Sequence, residues 1–301
     1  MFVAIITPFY NTGAIFHETA ASVFAQTCQN WEWIIVNDGS TDAEALATLN
    51  LLRHIGDSRV VVIDQQNYGL PGARNAGVAA SSAPLLFFLD SDDLLAPIAL
   101  EQLSQLLQHD SHASFATTWV QAFGAKSFVW QRGFDSGNLF LFENTVTALS
   151  MIRRSVFDAV GGFDEQRVGG LEDYEFWIRA AAKGYWGTDI HEPLTFQRYK
   201  HADEYIHYRW ANRDEPAKLR AFQDDIRRSY PKLYREGVPH LRATGKSAHV
   251  YARERISLWA FPLARWLRMQ KQQFTTSAIW RISSPFWQRL KGAVRYNTVV
   301  L

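Results

Sequence analysis

With 301 residues, 47% of them apolar and 20% charged, the chain can bury one large core or two smaller ones. No low-complexity tract or fixed-period repeat occurs, which excludes disordered, solenoid and fibrous architectures. The net charge of +1 conceals a polarity: residues 1–110 hold twelve Asp/Glu against three Lys/Arg, whereas 246–301 hold ten basic residues against Glu254 alone. An acidic front suits cation binding or plain solubility, and a basic end suits an anionic partner. The single cysteine, Cys28, excludes an internal disulfide or a multi-cysteine zinc site and fits a reducing compartment. The opening MFVAIITPFYN has neither the basic start nor the long apolar run of a signal peptide. Nowhere do about 18 apolar residues run together, so no spanning helix is expected. A soluble cytoplasmic protein is the base expectation.

Along the first 110 residues, strand and helix signals alternate. Residues 2–6, 33–37, 60–63 and 85–89 are short apolar runs rich in β-branched and aromatic side chains. Such runs fit strands buried on both faces, as in a parallel sheet. Helix-like segments fall near 14–27, 43–55 and 70–81, with another after Pro97, and Thr41 or Asp42 is placed to cap the second. This predicts a doubly wound α/β domain whose ligand sits beyond the carboxyl ends of the strands. Shorter strand signals follow at 114–119, 127–131 and 147–152, then a helix near 172–183 after a glycine-rich turn. Residues 203–245 read as helical and polar, and after Lys246 the chain is rich in Trp, Arg and Leu.

Three polar clusters each follow a predicted strand: TPFYN at 7–11, NDGSTD at 37–42 and DSDD at 90–93. Any one of them is ordinary turn chemistry, but a parallel sheet brings all three to one crevice. The last is the sharpest. Three carboxylates within four residues repel one another unless a cation or solvent compensates. A hard divalent ion such as Mn²⁺ or Mg²⁺ binds one or two carboxylates plus substrate phosphates, so a D-x-D at a strand end suits a metal–diphosphate site. The bland alternative makes Asp93 an acidic residue at the start of the next helix.

Taken in order, TPFYN, VNDGSTD at 36–42, GLPGARNAG at 69–77, FLDSDD at 88–93, GGFDE at 161–165 and Glu172-Asp173 resemble glycosyltransferase family 2. The resemblance spans about residues 1–200 and implies an inverting, nucleotide-sugar-dependent enzyme of GT-A fold. That is an α/β fold with a mixed, mostly parallel central sheet flanked by helices, here with a helical C-terminal extension. Two departures stand out. The second motif reads Asn37-Asp38 in place of a paired Asp, and no Gln-x-x-Arg-Trp motif of processive synthases occurs, the nearest piece being Gln197-Arg198-Tyr199. A non-processive enzyme is the expectation.

The resemblance assigns roles residue by residue. Thr7, Pro8, Tyr10 and Asn11 would wall the nucleotide base and ribose, and Asp38 would accept from the base, most simply the N3–H of uracil. Arg74 would approach the diphosphate or the acidic loop, where Asp90, Ser91 and Asp92 contact the nucleotide-sugar, with Asp92 and then Asp90 as ligands to Mn²⁺ or Mg²⁺. On the acceptor side Gly162 would allow close approach of a sugar, beside Glu172 and Trp177. Asp173 would be the catalytic base. The residue types agree with that chemistry, since a carboxylate can accept from a base edge or deprotonate an acceptor hydroxyl. Trp31, Trp33, Trp119 and Trp130 are candidate sugar-stacking platforms, and His191, His201 and His207 match no zinc spacing.

The resulting organisation is a catalytic domain at 1–200, with a donor half (1–110) and an acceptor half (111–200), a helical extension at 201–245 and a basic Trp-rich region at 246–301. In that last region Ile256, Trp259, Leu263 and Trp266 recur at helical spacing, as do Phe286, Leu290 and Val294, while Arg265, Arg268, Arg289 and Lys291 fall largely outside those stripes. Such a segment suits the surface of an anionic membrane, which would add a peripheral location on the inner face of the cytoplasmic membrane to the cytoplasmic expectation. The alternative is packing of its apolar stripes on the catalytic domain with the arginines facing solvent. The expected partners are a nucleotide-sugar donor and a glycan or lipid-linked acceptor. Competing readings are a catalytically inactive nucleotide-sugar-binding module and a basic membrane- or nucleic-acid-binding protein. Acidic front loops would repel a phosphate backbone, so no nucleic acid is expected.

Overall fold

The computed structural model describes residues 1–142, 144–167, 170–200 and 216–240. The region 246–301, and with it the predicted membrane-facing stripes, lies outside the described residues, as do His201 and His207.

Four strands, β1 (Val3–Phe9), β2 (Trp31–Asp38), β3 (Val60–Gln65) and β4 (Leu85–Phe88), alternate with α1 (Phe16–Phe24), α2 (Ala43–Arg53) and α3 (Gly69–Ala79). Then come β5 (Leu94–Leu95), α4 (Ala99–His109), β6 (Phe115–Gly124), β7 (Phe128–Trp130) and a kinked 3-10 segment, Phe134–Leu141. The remainder is β8 (Met151–Arg153), α5 (Arg154–Val160), α6 (Glu172–Ala182), β9 (Gly187–Tyr199), α7 (Pro216–Ser229) and α8 (Pro231–Glu236). Among the described residues the strands form a nine-stranded sheet in the order β3-β2-β1-β4-β8-β6-β9-β5, with β7 paired to β6. Strands β3 to β4 along this order are parallel, β8 is antiparallel to both its neighbours, and β6 runs parallel to β9. The α/β expectation of a mixed, mostly parallel sheet holds.

The uninterrupted apolar runs have a direct cause. Alternate side chains of a strand point to opposite faces. Ala4, Ile6, Ile34, Val36, Leu86 and Phe88 join one core with residues of α3, α5 and α6. Val3, Ile5, Trp33, Ile35 and Phe87 join the other with α1, α2 and α4. Trp31 and Trp33 are 1% and 0% exposed, so these two candidate sugar platforms are core residues. On α3, a Cβ at Gly77 would collide with Cγ2 of Ile6. The glycine therefore lets the helix that carries Arg74 lie close on β1.

Asp42 is the cap of α2, accepting from Ala45 N at 2.8 Å. Asp93 caps no helix: it precedes β5, and α4 starts only at Ala99. The sequence reading passed over β9, whose residues are mostly half-buried and polar. The first two polar loops are tied together by Asn11, held at φ 49°. Its Oδ1 accepts from Thr41 N (2.8 Å) and Asp42 N (2.9 Å), and its own N–H donates to Ser40 Oγ (3.0 Å).

Candidate active site

The carboxyl end of β4 delivers Asp90, and the N-terminus of α6 delivers Glu172 and Asp173. Arg74 joins them. Its side chain is 2% exposed and donates to Asp90 Oδ1 at 2.8 Å and to Glu172 Oε1 at 2.7 Å. Burial opposes its charge, but Asp90, Glu172 and Asp173 outweigh that effect and hold the guanidinium firmly protonated. Arg74 thus meets the acidic loop, one of its two expected targets, and a single cation fastens that loop to the start of α6.

Asp173 receives different treatment. It is half-buried at the helix start, accepts from its neighbour Tyr174 N at 2.7 Å, and takes both of its contacts with Asn144 Nδ2 at 3.2 Å. Burial, then the charge of Glu172, pushes its carboxyl up to about 7, against the opposing pull of Arg74 and of its hydrogen bonds. A carboxylate poised near neutral pH and reachable from solvent has the chemistry to accept a proton from a hydroxyl.

Asp90 is 30% exposed and Asp92 21% exposed in their side chains. Asp90 spends only Oδ1 on Arg74, and Asp92 meets Lys200 Nζ at 2.7 Å through Oδ2. Hard oxygen donors in a partly open loop fit a hard divalent cation. Asp93 is 2% exposed and accepts from Arg198 N at 2.8 Å. Burial, with Asp92 and Asp90 adding to it, drives its carboxyl well above the usual range. Among the described residues, one trio has close metal-ligand geometry: Asp135, Asp189 and His191. There Asp189 accepts from Phe134 N and Asp135 N, and His191 Nε2 lies 2.7 Å from Asp135 while its ring stacks on Trp119. Asp189 therefore already anchors the start of the 3-10 segment.

Several assigned residues sit elsewhere than the crevice surface. Thr7 is 0% exposed, its hydroxyl accepting from Trp33 Nε1 at 2.8 Å, and Pro8 is buried beside it. Tyr10, by contrast, is exposed. Asp38 is 3% exposed and accepts from Gln65 Nε2, Tyr68 N and Gly69 N at 2.7, 2.9 and 2.9 Å. It organises the turn that opens α3. Ser91 turns toward α1, its hydroxyl 2.6 Å from Thr12 Oγ1 and its carbonyl accepting from Thr19. Trp177 is 1% exposed and packs edge-on against Phe115, Phe134 and Phe176, so its expected acceptor-side role is corrected to a core role. Gly162, at φ 70°, makes its close approach to Asn75, whose Oδ1 a Cβ there would meet at 2.9 Å. Asn75 also bonds Phe163 N and O at 2.9 Å each, docking the GGFDE turn onto α3.

Sequence reasoning missed Asn144, Arg198 and Lys200. Only the fragment Gln197-Arg198-Tyr199 drew notice, and for a motif that is absent.

A family model for glycosyl transferase family 2 matches residues 4–164. The chain belongs to that family. It is 36% identical over 101 residues to the glycosyltransferase GlyA of Streptococcus pneumoniae, a match covering 34% of this chain and 14% of GlyA. It is 24% identical over 201 residues to the Bacillus subtilis protein EpsE, covering 64% and 71% of the two chains. The chain thus spans only a small part of GlyA's length. Among solved structures, S. aureus TarS 1–349 superposes with a TM-score of 0.57 at 18% identity, over 75% of this chain and 69% of that one. Its complex with UDP-GlcNAc gives 0.58 at 17% identity, over 75% and 70%. The family 2 chain therefore carries the expected GT-A fold.

Proposed function

We propose that the chain transfers a sugar from a nucleoside diphosphate sugar, with a uridine nucleotide as the default, to a hydroxyl of a glycan or lipid-linked acceptor, with inversion at the anomeric carbon. One observation carries the reading. Arg74 fastens Asp90 to Glu172, so the half-buried, near-neutral base Asp173 opens beside the loop suited to a metal–diphosphate. The crystallisation of TarS with UDP and with UDP-GlcNAc supports a uridine donor. Family membership supports transfer over binding alone.

Asp173 takes the acceptor proton as the acceptor oxygen bonds to the anomeric carbon and the carbon–phosphate oxygen bond breaks, its electron pair leaving on the diphosphate. Asp90 and Asp92 would hold Mn²⁺ or Mg²⁺, which when bound neutralises charge on the leaving diphosphate. Tyr10 is the exposed aromatic of the first loop and offers a face for the base. Asp38 shapes the 65–69 turn beneath it. The experiment is a panel of nucleotide-sugars scored for donor hydrolysis with Mn²⁺ and with EDTA. The expected result is metal-dependent release of one nucleoside diphosphate; no turnover and no binding of any donor would sink the reading.

A lipid-linked acceptor would place the enzyme at a membrane, and the net +9 of residues 246–301 supports that placement. No described helix is long and apolar enough to cross a membrane. Each basic residue near an anionic surface adds about 1 kcal/mol. The full chain should float with anionic but not neutral liposomes, and a truncation after Gly245 should not. If the full chain stays unbound with anionic vesicles, the tail is no membrane anchor.

A further inference from the structure

The acidic loop already has a cation seated in it. Lys200 Nζ lies 2.7 Å from Asp92 Oδ2, on the carboxylate that the proposed function gives to the metal. The Lys200 side chain is 43% exposed, so the contact depends on how its backbone is held. Lys200 directly follows β9, and that strand end is pinned to the same loop at several points. Arg198 N donates to Asp93 Oδ1 at 2.8 Å, and Arg198 Nε donates to the Asp92 carbonyl at 3.0 Å. The same guanidinium bonds Glu18 at 2.8 Å and lies 4.4 Å over the Phe123 ring. The backbone thus delivers the ammonium to Asp92, while Asp90 has its own cation in Arg74.

A divalent ion placed on Asp92 sets like charges against each other at one carboxylate. A divalent ion bound at Asp92 therefore weakens the Lys200 contact, and the strand end keeps the released ammonium within the loop's reach. An ammonium is a compact charge with three donors and no acceptor. Beside a metal-bound diphosphate, the anionic phosphate oxygens are its natural new partner.

Resting on the nucleotide-sugar reading above, we propose that Lys200 is a positioning residue that exchanges partners. It neutralises Asp92 in the empty site, competes with the divalent metal for that carboxylate, and pairs with the donor's diphosphate once displaced. Lys200 would then weaken metal binding on its own yet strengthen binding of the nucleotide.

The test uses the full chain and two probes, Mn²⁺ and UDP, by calorimetry. In Lys200→Gln, Mn²⁺ alone should bind about three- to fivefold more tightly, the size of a partly exposed ion pair removed as competitor. UDP with saturating Mn²⁺ should bind about tenfold more weakly, as for a lost charge-assisted hydrogen bond. Lys200→Arg should retain the UDP affinity measured with saturating Mn²⁺. A merely structural role would move both affinities in the same direction. An unchanged Mn²⁺ affinity in Lys200→Gln, or weakening of both probes together, overturns the exchange while leaving the proposed function standing. If the wild-type chain binds neither probe, the nucleotide-sugar reading fails, and this inference with it.

Discussion

The acidic loop at 90–93 and the start of α6 at 172–173 are both runs of carboxylates, yet the fold equips them in opposite ways. The loop is given cations: Arg74 on Asp90 and Lys200 on Asp92. At α6, Arg74 reaches Glu172 and stops there. Asp173, the next residue, gets only an asparagine amide and a backbone N–H. The loop therefore keeps its two more exposed carboxylates paired with cations, suited to organising charge, while Asp173 is left near neutrality and suited to moving a proton. The difference lies in the donors and not in the residue type.

Breaking the bridge between the two regions should have the largest effect. Arg74→Met leaves Glu172, 6% exposed in its side chain, without its cation. Removing one partner of a buried pair costs about 3–5 kcal/mol, so the chemical-denaturation midpoint should drop sharply. A midpoint equal to wild type would mean that the bridge does not hold the halves together.

Next comes the base itself. Asp173→Asn should cut kcat by about 10² or more with donor binding near normal, and wild-type kcat in this variant would remove Asp173 from catalysis. In wild type, activity should fall as pH drops through about 7, because the base must be ionised. The stability effect has a definite sign. The folded carboxyl titrates above its unfolded value of 3.8, so the native state binds the extra proton between those values and stability falls as pH rises from about 4 to about 7. Asp173→Asn should therefore gain most in Tm over wild type above pH 7, with the gain shrinking toward pH 4. A Tm difference that does not vary with pH would contradict the shift.

In the loop, Asp92→Asn should weaken Mn²⁺-dependent UDP binding about tenfold or more while the circular dichroism spectrum stays native. Unchanged isotherms would exclude Asp92 as a ligand. The smallest effect belongs to Asn144→Ala. Loss of a neutral hydrogen-bond donor to the carboxylate, worth about 1 kcal/mol, should move the acid limb of the pH–rate profile upward by less than about one unit. An unmoved limb would show that the Asn144 amide does not stabilise the charged base.

The first half of the sheet was legible because β1, β2 and β4 are buried on both faces and so are spelled as unbroken apolar runs, while β3, at the sheet edge, is only half-buried yet keeps its β-branched run. Each is followed in sequence by its own polar loop. The D-x-D and Glu172-Asp173 could be read for the same reason: their identity is local. Their partners could not. Arg198 reaches Asp93 across 105 positions and Asn144 reaches Asp173 across 29, and no short motif encodes such distances. Strand β9, which carries Arg198, is half-buried and polar for much of its length, so it lacks the apolar run that revealed the others. Thr7 and Trp177 failed for a different reason. A motif places a residue in the chain but does not say which way its side chain turns, and the Trp33 indole and an aromatic cluster claimed these two.

The crossbar made by Asn11 has a consequence for how the crevice moves. Its amide oxygen holds the N–H groups of Thr41 and Asp42 at the entry to α2, although both residues are exposed. The Tyr10 backbone cannot move far unless Asn11 follows, and Asn11 cannot follow without releasing those two amides together. Opening of this edge is then a cooperative local unfolding step and not the rattling of a free loop. The exchange of the Thr41 and Asp42 amides with deuterium becomes a clock for the opening of this edge.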